Sequence, residues 1–249
     1  MGRSSARDAE QVFVVEGATL LGEAHAAGAS IESVYLAPGA EVDPALTAGV
    51  RIHDLAPGVI ERVAGTVSPQ PVLAVVGMRW GRLGQEPLAT TGPVIVCVDV
   101  RDPGNLGTVL RSAEASGACG VVCCDGTVDV YNPKCVRASA GAVFHVPLLA
   151  GGSPVSALET LGACGYRRMA TAVGAGDAYD RADLAGAVAF VLGNEANGLP
   201  DGLESVIDGA VHIPMQGRTE SLNVGMACAV LCFEALRQRR RAQTPTERS

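Results

Sequence analysis

Val211-His-Ile-Pro-Met-Gln-Gly-Arg-Thr-Glu-Ser-Leu-Asn-Val-Gly-Met-Ala-Cys-Ala-Val230 decides how this chain is read. It begins as a short apolar strand, breaks at Pro214, crosses a polar loop and restarts at Ser221 as a long apolar helix. A hydroxyl at that restart suits an N-cap, because its oxygen accepts from the free N–H groups of the first turn. Gln216, Arg218, Glu220, Ser221 and Asn223 crowd the junction. In an open α/β sheet, ligands sit just outside the carboxyl ends of the strands. An ordinary αβ corner with a good cap accounts for the same residues, so the stretch gains meaning only beside others like it.

Two such stretches lie upstream. Arg101-Asp-Pro-Gly-Asn-Leu-Gly-Thr-Val-Leu-Arg111 follows the continuous apolar run Val94–Val100, with Asn105 where a helix N-cap belongs and Arg111 six residues further on. Leu192-Gly-Asn-Glu-Ala-Asn-Gly-Leu-Pro200 follows the run Ala187–Leu192 and sets Glu195 just beyond a buried strand. Neither is a GxGxxG nucleotide fingerprint or a Walker loop. Each alone also reads as a capped turn.

Around these exits, strands and helices alternate. The pattern predicts strands at 120–124, 143–147, 168–173, 187–192 and 210–213, and helices at 105–116, 133–140, 154–164 and 221–241. This implies a parallel sheet with helices on both faces. The 48% hydrophobic content with only 4% aromatics suits aliphatic, buried parallel strands. A smaller α/β unit precedes it, with strands near 12–15, 33–36, 50–53 and 72–76 and helices at 18–27 and 54–64. The expected division is a tail at 1–10, a small domain at 11–78, a glycine-rich linker at 79–92, the larger domain at 93–241 and a tail at 242–249.

Composition narrows the function classes. No apolar run is long enough for a membrane span and the N-terminus lacks a signal-like h-region, so a cytoplasmic protein without membrane contact is expected. The eight cysteines form no CxxC pair; Cys228 and Cys232, four apart, have no partner pair nearby, so buried thiols and no metal are expected. Net charge is −7, with 6 basic and 10 acidic residues in 1–92 and 13 and 16 beyond. Any nucleic-acid surface must therefore be a local patch.

NxGxxxR, GNExxGL and IPMxGxxESLNV, in this order, together with Asn132-Pro-Lys-Cys-Val-Arg-Ala-Ser-Ala-Gly-Ala-Val-Phe-His145, resemble the SpoU/TrmH branch of the SPOUT methyltransferases over roughly residues 93–240. The resemblance implies transfer of a methyl group from S-adenosyl-L-methionine to a ribose 2′-hydroxyl of RNA, a C-terminal trefoil knot and a homodimer formed largely by the last helix. The front unit, with Val14-Val-Glu-Gly17 and Val72-Leu-Ala-Val-Val76, is similar to the substrate-binding domain that often precedes such enzymes, a small RNA-binding module. The cofactor would be held by Thr171, Ala172, Val173, Gly174, Leu192, Gly193, Asn194, Ile213, Pro214, Met215, Ser221 and Leu222. The implied catalytic set is Asn105, Arg111, Glu195, Ser221 and Asn223.

Arg111 is the catalytic arginine by resemblance. A guanidinium stays protonated below about pH 12, so it suits a phosphate and oxyanion anchor better than a general base. Lys134, Arg137 and Ser139 are candidates for a phosphate cradle on the RNA, with a solvated helix face as the alternative. Ribosomal RNA of the large subunit (23S) is the favoured substrate, with transfer RNA second. A non-catalytic RNA-binding assembly factor is the competing class, against which the intact triplet of Asn105, Arg111 and Glu195 argues. A nucleotide-dependent oxidoreductase would need a phosphate-binding fingerprint that the chain lacks.

Overall fold

The structure is a computed structural model that describes residues 4–64, 68–85 and 87–243. The large domain is built on an eight-stranded sheet. Its strands are β5 (Gly81–Arg82), β6 (Val94–Cys97), β7 (Gly120–Cys124), β8 (Leu148–Gly152), β9 (Arg167–Thr171), β10 (Asp177–Ala178), β11 (Val188–Leu192) and β12 (Gly209–His212). They run in the order β10-β12-β9-β11-β6-β7-β8-β5, and every pairing is parallel. Parallel strands need covering on both faces, and the side-chain alternation supplies it. Ile95, Cys97, Val121, Phe190 and Leu192 face α4 (Pro103–Ala115), α5 (Pro133–Ala138) and α7 (Val224–Gln243). Val94, Val96, Val122, Ala189 and Val191 face α6 (Pro154–Ala163) through Ala157, Leu158 and Leu161.

Glycines let the first layer close. A Cβ on Gly107 would sit 2.5 Å from Ala138 Cβ, and one on Gly225 would sit 2.8 Å from Thr108 Cβ. Any larger residue at either place therefore separates α4 from α5 or from α7. Gly151 does the same inside β8, where a Cβ would meet Val122 at 2.7 Å.

The front domain is a four-stranded mixed sheet of β1 (Val12–Glu16), β2 (Ile31–Leu36), β3 (Arg51–Asp54) and β4 (Val72–Gly77), in the order β1-β4-β2-β3. It carries α2 (Ala18–Ala26) and α3 (Val59–Val63). Its core is continuous with one face of the large domain: the Phe13 ring lies 4.5 Å from that of Tyr131 and 5.7 Å from that of Phe144.

Several expected elements shift. Residues 4–10 form a helix, α1 (Ser4–Glu10), whose buried Arg7 binds Asp129 across the domain boundary, where a tail was expected; residues 1–3 and 244–249 of the two expected tails lie outside the described residues. The 79–92 segment contributes the edge strand β5, and Tyr131 Oη both accepts from Arg79 N (2.8 Å) and donates to Arg79 O (2.6 Å). The apolar residues at 143–147 do not form a strand. Ala140 and Gly141 take positive φ, a 3-10 turn follows at Ala142–Phe144, and the strand begins at Leu148. The expected 54–64 helix shrinks to Val59–Val63 behind Gly58, whose φ is +77°. Among the described residues no helix is long and apolar enough to cross a membrane.

Candidate active site

The three polar exits meet at the carboxyl edge of the large sheet because β6 and β11 are direct neighbours and α7 packs along α4. Asp102, rather than Asn105, caps α4: its Oδ1 accepts from Asn105 N at 2.9 Å. That leaves the Asn105 side chain free of capping duty. Its Nδ2 donates to Glu195 Oε1 (2.9 Å), and its Oδ1 accepts from Asn223 Nδ2 (2.7 Å). Glu195 also accepts from the backbone N–H groups of Arg101 (3.3 Å) and Asp102 (3.2 Å). The cap of α7 likewise moves: Asn223 Oδ1 accepts from Gly225 N (2.9 Å), and Ser221 stands exposed three residues before the helix. One chain of hydrogen bonds therefore ties strand exit, helix and loop through Glu195, Asn105 and Asn223.

Electrostatics follow from that chain. Partial burial alone would raise the Glu195 pKa, but the Asn105 amide and the backbone donors outweigh it and hold the carboxyl below its ordinary value. Asp102 is held low first by Lys134, whose Nζ lies 2.7 Å from Oδ2, and then by the N–H groups it caps. Asn194 shapes the next loop: Nδ2 donates to Asp99 O (3.0 Å), and Oδ1 accepts from Ala196 N (2.9 Å) and Asn197 N (3.1 Å). Gly193 is required there, since a Cβ would come within 2.4 Å of the Gly198 backbone. Asp99 adopts φ +55°, a sparsely populated conformation for a non-glycine residue, at the end of β6.

A cavity of about 450 Å³ opens beside this network, within the ~300–1,000 Å³ range of small-molecule sites. Of the residues expected to hold a cofactor, Thr171, Ala172, Val173, Gly193, Asn194, Ile213, Met215, Ser221 and Leu222 line it. Gly174, Leu192 and Pro214 are not among its lining residues, and Leu192 is fully buried in the core. Asn105, Glu195 and Asn223 line it too, as do Glu220 of the polar junction and Ala227 and Leu231, which sequence reasoning missed. Ala227 and Leu231 lie on α7 four residues apart, a spacing that only the helix register turns into a wall. The mixture of apolar walls with amide, hydroxyl and carboxylate groups fits a nucleoside bearing a polar tail, the chemical character of S-adenosyl-L-methionine. Among the described residues no group of three or more His, Cys, Asp or Glu converges as a metal site, and the Sγ atoms of Cys228 and Cys232 lie 3.7 Å apart in the core.

Arg111 lies exposed on α4 two turns beyond Gly104, outside the cavity lining. The three candidate RNA residues do not form one cradle. Lys134 is exposed and reaches Asp102; Arg137 turns to the other domain, 3.7 Å from Glu16; Ser139 is fully buried, its Oγ donating to Val136 O at 2.7 Å. Ser139 is thus a helix-end residue and not a phosphate ligand, because its hydroxyl has neither access nor a free proton.

Comparison with known proteins agrees with this geometry. Residues 92–233 match the SpoU rRNA Methylase family and residues 3–74 the MRM3-like substrate binding domain. The 23S rRNA (guanosine(2553)-2′-O)-methyltransferase RlmP of Bacillus subtilis is 32% identical over 91% of this chain and 89% of its own length. Two solved structures are similar across nearly the whole chain. The SpoU methyltransferase AviRb from Streptomyces viridochromogenes has a TM-score of 0.87 and 27% identity, covering 97% of this chain and 95% of that one. An AdoMet-bound rRNA methyltransferase from Sinorhizobium meliloti has a TM-score of 0.86 and 29% identity, covering 98% and 92%. With the family's motifs brought together at one sheet edge and its model matched over more than half of the length, this chain belongs to the SpoU rRNA methylase family.

Proposed function

We propose that the protein methylates one ribose 2′-hydroxyl of large-subunit (23S) ribosomal RNA using S-adenosyl-L-methionine. The observation that carries this reading is the Glu195–Asn105–Asn223 hydrogen-bond chain along the wall of the 450 Å³ cavity. S-adenosyl-L-methionine, when bound, supplies a methyl group already made electrophilic by its sulfonium, so the protein's task is alignment and management of one proton. Loop backbone at 171–173, 193–194 and 213–215 supplies main-chain donors and acceptors for the adenine and ribose. Asn105, Glu195 and Asn223 are positioning residues that hold the loops to one geometry.

Arg111 is assigned to the RNA: its guanidinium grips the phosphate beside the target and stabilises negative charge growing on the 2′-oxygen, whose proton passes to water. Ser221, exposed and not the cap of α7, is assigned a hydrogen bond to the same hydroxyl; its exposure supports this role. Lys134, beside Asp102, is a second phosphate contact. The front domain grips the folded RNA around the target, which suits recognition of unpaired nucleotides held in a structured surround. Exposed Met226 and Phe233 on α7 support a homodimer through that helix, because they extend the apolar stripe of the core outward. The threading of the C-terminal segment as a trefoil knot goes with the family.

Purified protein should methylate protein-free 23S RNA at a single 2′-hydroxyl, read by methyl mapping, and lose that activity when residues 1–78 are removed. Methylation of transfer RNA with ribosomal RNA inert would overturn the substrate. Binding of NAD or ATP in preference to S-adenosyl-L-methionine would overturn the reaction.

A further inference from the structure

A second cavity, of about 410 Å³, lies between the two domains, away from the methyl-transfer site. Val14 and Tyr35 line it from the front sheet and Val136 from α5, while Glu16 and Arg137 bring charge to it. Val63, which is 62% exposed, also lines it, so the cavity reaches the surface. The Tyr35 ring is braced by a stacked contact with His53, centroids 5.0 Å apart and planes 20° apart. Arg137 Nη1 stands 3.7 Å from Glu16 Oε2, close enough to attract as ions, while Glu16 Oε1 accepts from Gln70 N at 2.9 Å, which fixes the carboxylate at the cavity wall.

This combination selects its occupant. Apolar walls with one braced aromatic ring favour a flat aromatic group, and unpaired bases are commonly bound by stacking on aromatic side chains. An ionised carboxylate has about four lone-pair sites, so it can take further donors beyond Gln70 N, and beside a guanidinium it suits a base edge with donors next to an acceptor. Guanine meets it: N1–H and N2–H face a carboxylate, and O6 accepts from arginine. The position also fits. Helix α5 borders this cavity with Pro133, Val136 and Arg137, and Lys134, next to Pro133, reaches Asp102, the cap of α4. A strand of RNA lying along α5 connects the two sites.

We infer that the interdomain cavity receives one unpaired guanine base of the RNA substrate, flanking the methylated nucleotide, stacked on Tyr35 and read at its edge by Glu16 and Arg137. The inference rests on the proposed RNA methyltransferase activity.

The test uses the full chain and protein-free 23S RNA. Tyr35→Ala should raise the KM for RNA about tenfold, the size of one lost base stack, while kcat at saturating RNA and affinity for S-adenosyl-L-methionine hold. Tyr35→Phe keeps the ring and should restore the KM. RNA substituted with 6-thioguanosine should photo-crosslink to the peptides containing Tyr35 or Val136, and Glu16→Gln should lower that yield. An unchanged KM for Tyr35→Ala, or crosslinks at these peptides from 4-thiouridine RNA only, overturns the inference while the activity stands. A wild-type chain that binds S-adenosyl-L-methionine yet neither binds nor methylates the RNA overturns the functional reading, and this inference with it.

Discussion

At the carboxyl edge of the large sheet, Glu195, Asn105 and Asn223 pass hydrogen bonds from one loop to the next, and glycines at 107, 193 and 225 let backbones close to within contact distance. At the seam between the domains, distant segments meet through separate pairs: Arg7 with Asp129, Arg137 with Glu16, His145 with Glu23. The first region shares its polar groups, so losing one member disturbs all. In the second no side chain belongs to two of these three pairs, and most are partly exposed. The contrast suits the roles proposed for the two regions. A reacting centre needs tenths-of-ångström placement held by a coupled network, whereas a surface that receives RNA tolerates adjustment. Arg111 stands apart from both, exposed on α4, and is the residue we assign to the substrate.

The largest expected effect separates Arg111 from the network. Arg111→Ala and Arg111→Lys should each lower single-turnover methyl transfer by about 10²–10³-fold, since neither a methyl group nor a point charge replaces the planar fork. Calorimetry should find S-adenosyl-L-methionine binding unchanged, and near-normal turnover in either variant would remove Arg111 from the chemistry.

Next comes packing beneath the network. Gly107→Ala forces a Cβ to within 2.5 Å of Ala138 Cβ and 2.7 Å of Cys135 O. Urea unfolding should record a loss of about 1–3 kcal/mol, partly relieved by Ala138→Gly. Equal stability would mean that α4 and α5 are not held where the structure has them.

A smaller effect sharpens the comparison itself. A double-mutant cycle of Glu195→Gln with Asn223→Ala should show coupling of roughly 1 kcal/mol through Asn105, although the two side chains do not touch. Glu195 releases its proton more readily folded than unfolded. Its contribution is therefore full above the unfolded value, about 4.3, and is lost as pH falls through the lower folded value. The stability gap between wild type and Glu195→Gln should accordingly narrow in acid; a gap constant down to pH 3 would show that the carboxylate is not held by these donors.

The smallest effect is expected at the seam. His145 Nε2 lies 2.7 Å from Glu23 Oε2, both partly exposed. Glu23→Gln should cost under about 1 kcal/mol, and a cycle with His145→Ala should show no coupling to Asn223. Coupling there would mean that the seam and the sheet edge form one network after all.

Much of this was legible in the chain. The alternation of apolar runs with 3.6-period segments is local, so the parallel sheet and most of its helices could be read from residues that touch in sequence. The strand at 143–147 could not, because positive φ at Ala140 and Gly141 coils the chain just before it and turns its apolar residues into a 3-10 turn. The caps were displaced for a related reason: Ser221 and Asn105 are good cap residues, but helix ends are set by where the chain turns, and Asn223 and Asp102 stand at those points. The motifs themselves named Asn105, Glu195 and Asn223. That the three bond to one another was decided by strand order, which puts β6 beside β11 and lays α7 along α4. Likewise Lys134, Arg137 and Ser139 share one short stretch, yet a helix sends them in three directions, to Asp102, to Glu16 and into the core. Sequence determined which chemistry the chain carries, because residue types and short-range periods are written along it. Tertiary structure decided which groups are bound to each other and which remain for a substrate, because hydrogen-bond partners 90 and 118 residues apart exist only once the sheet has formed.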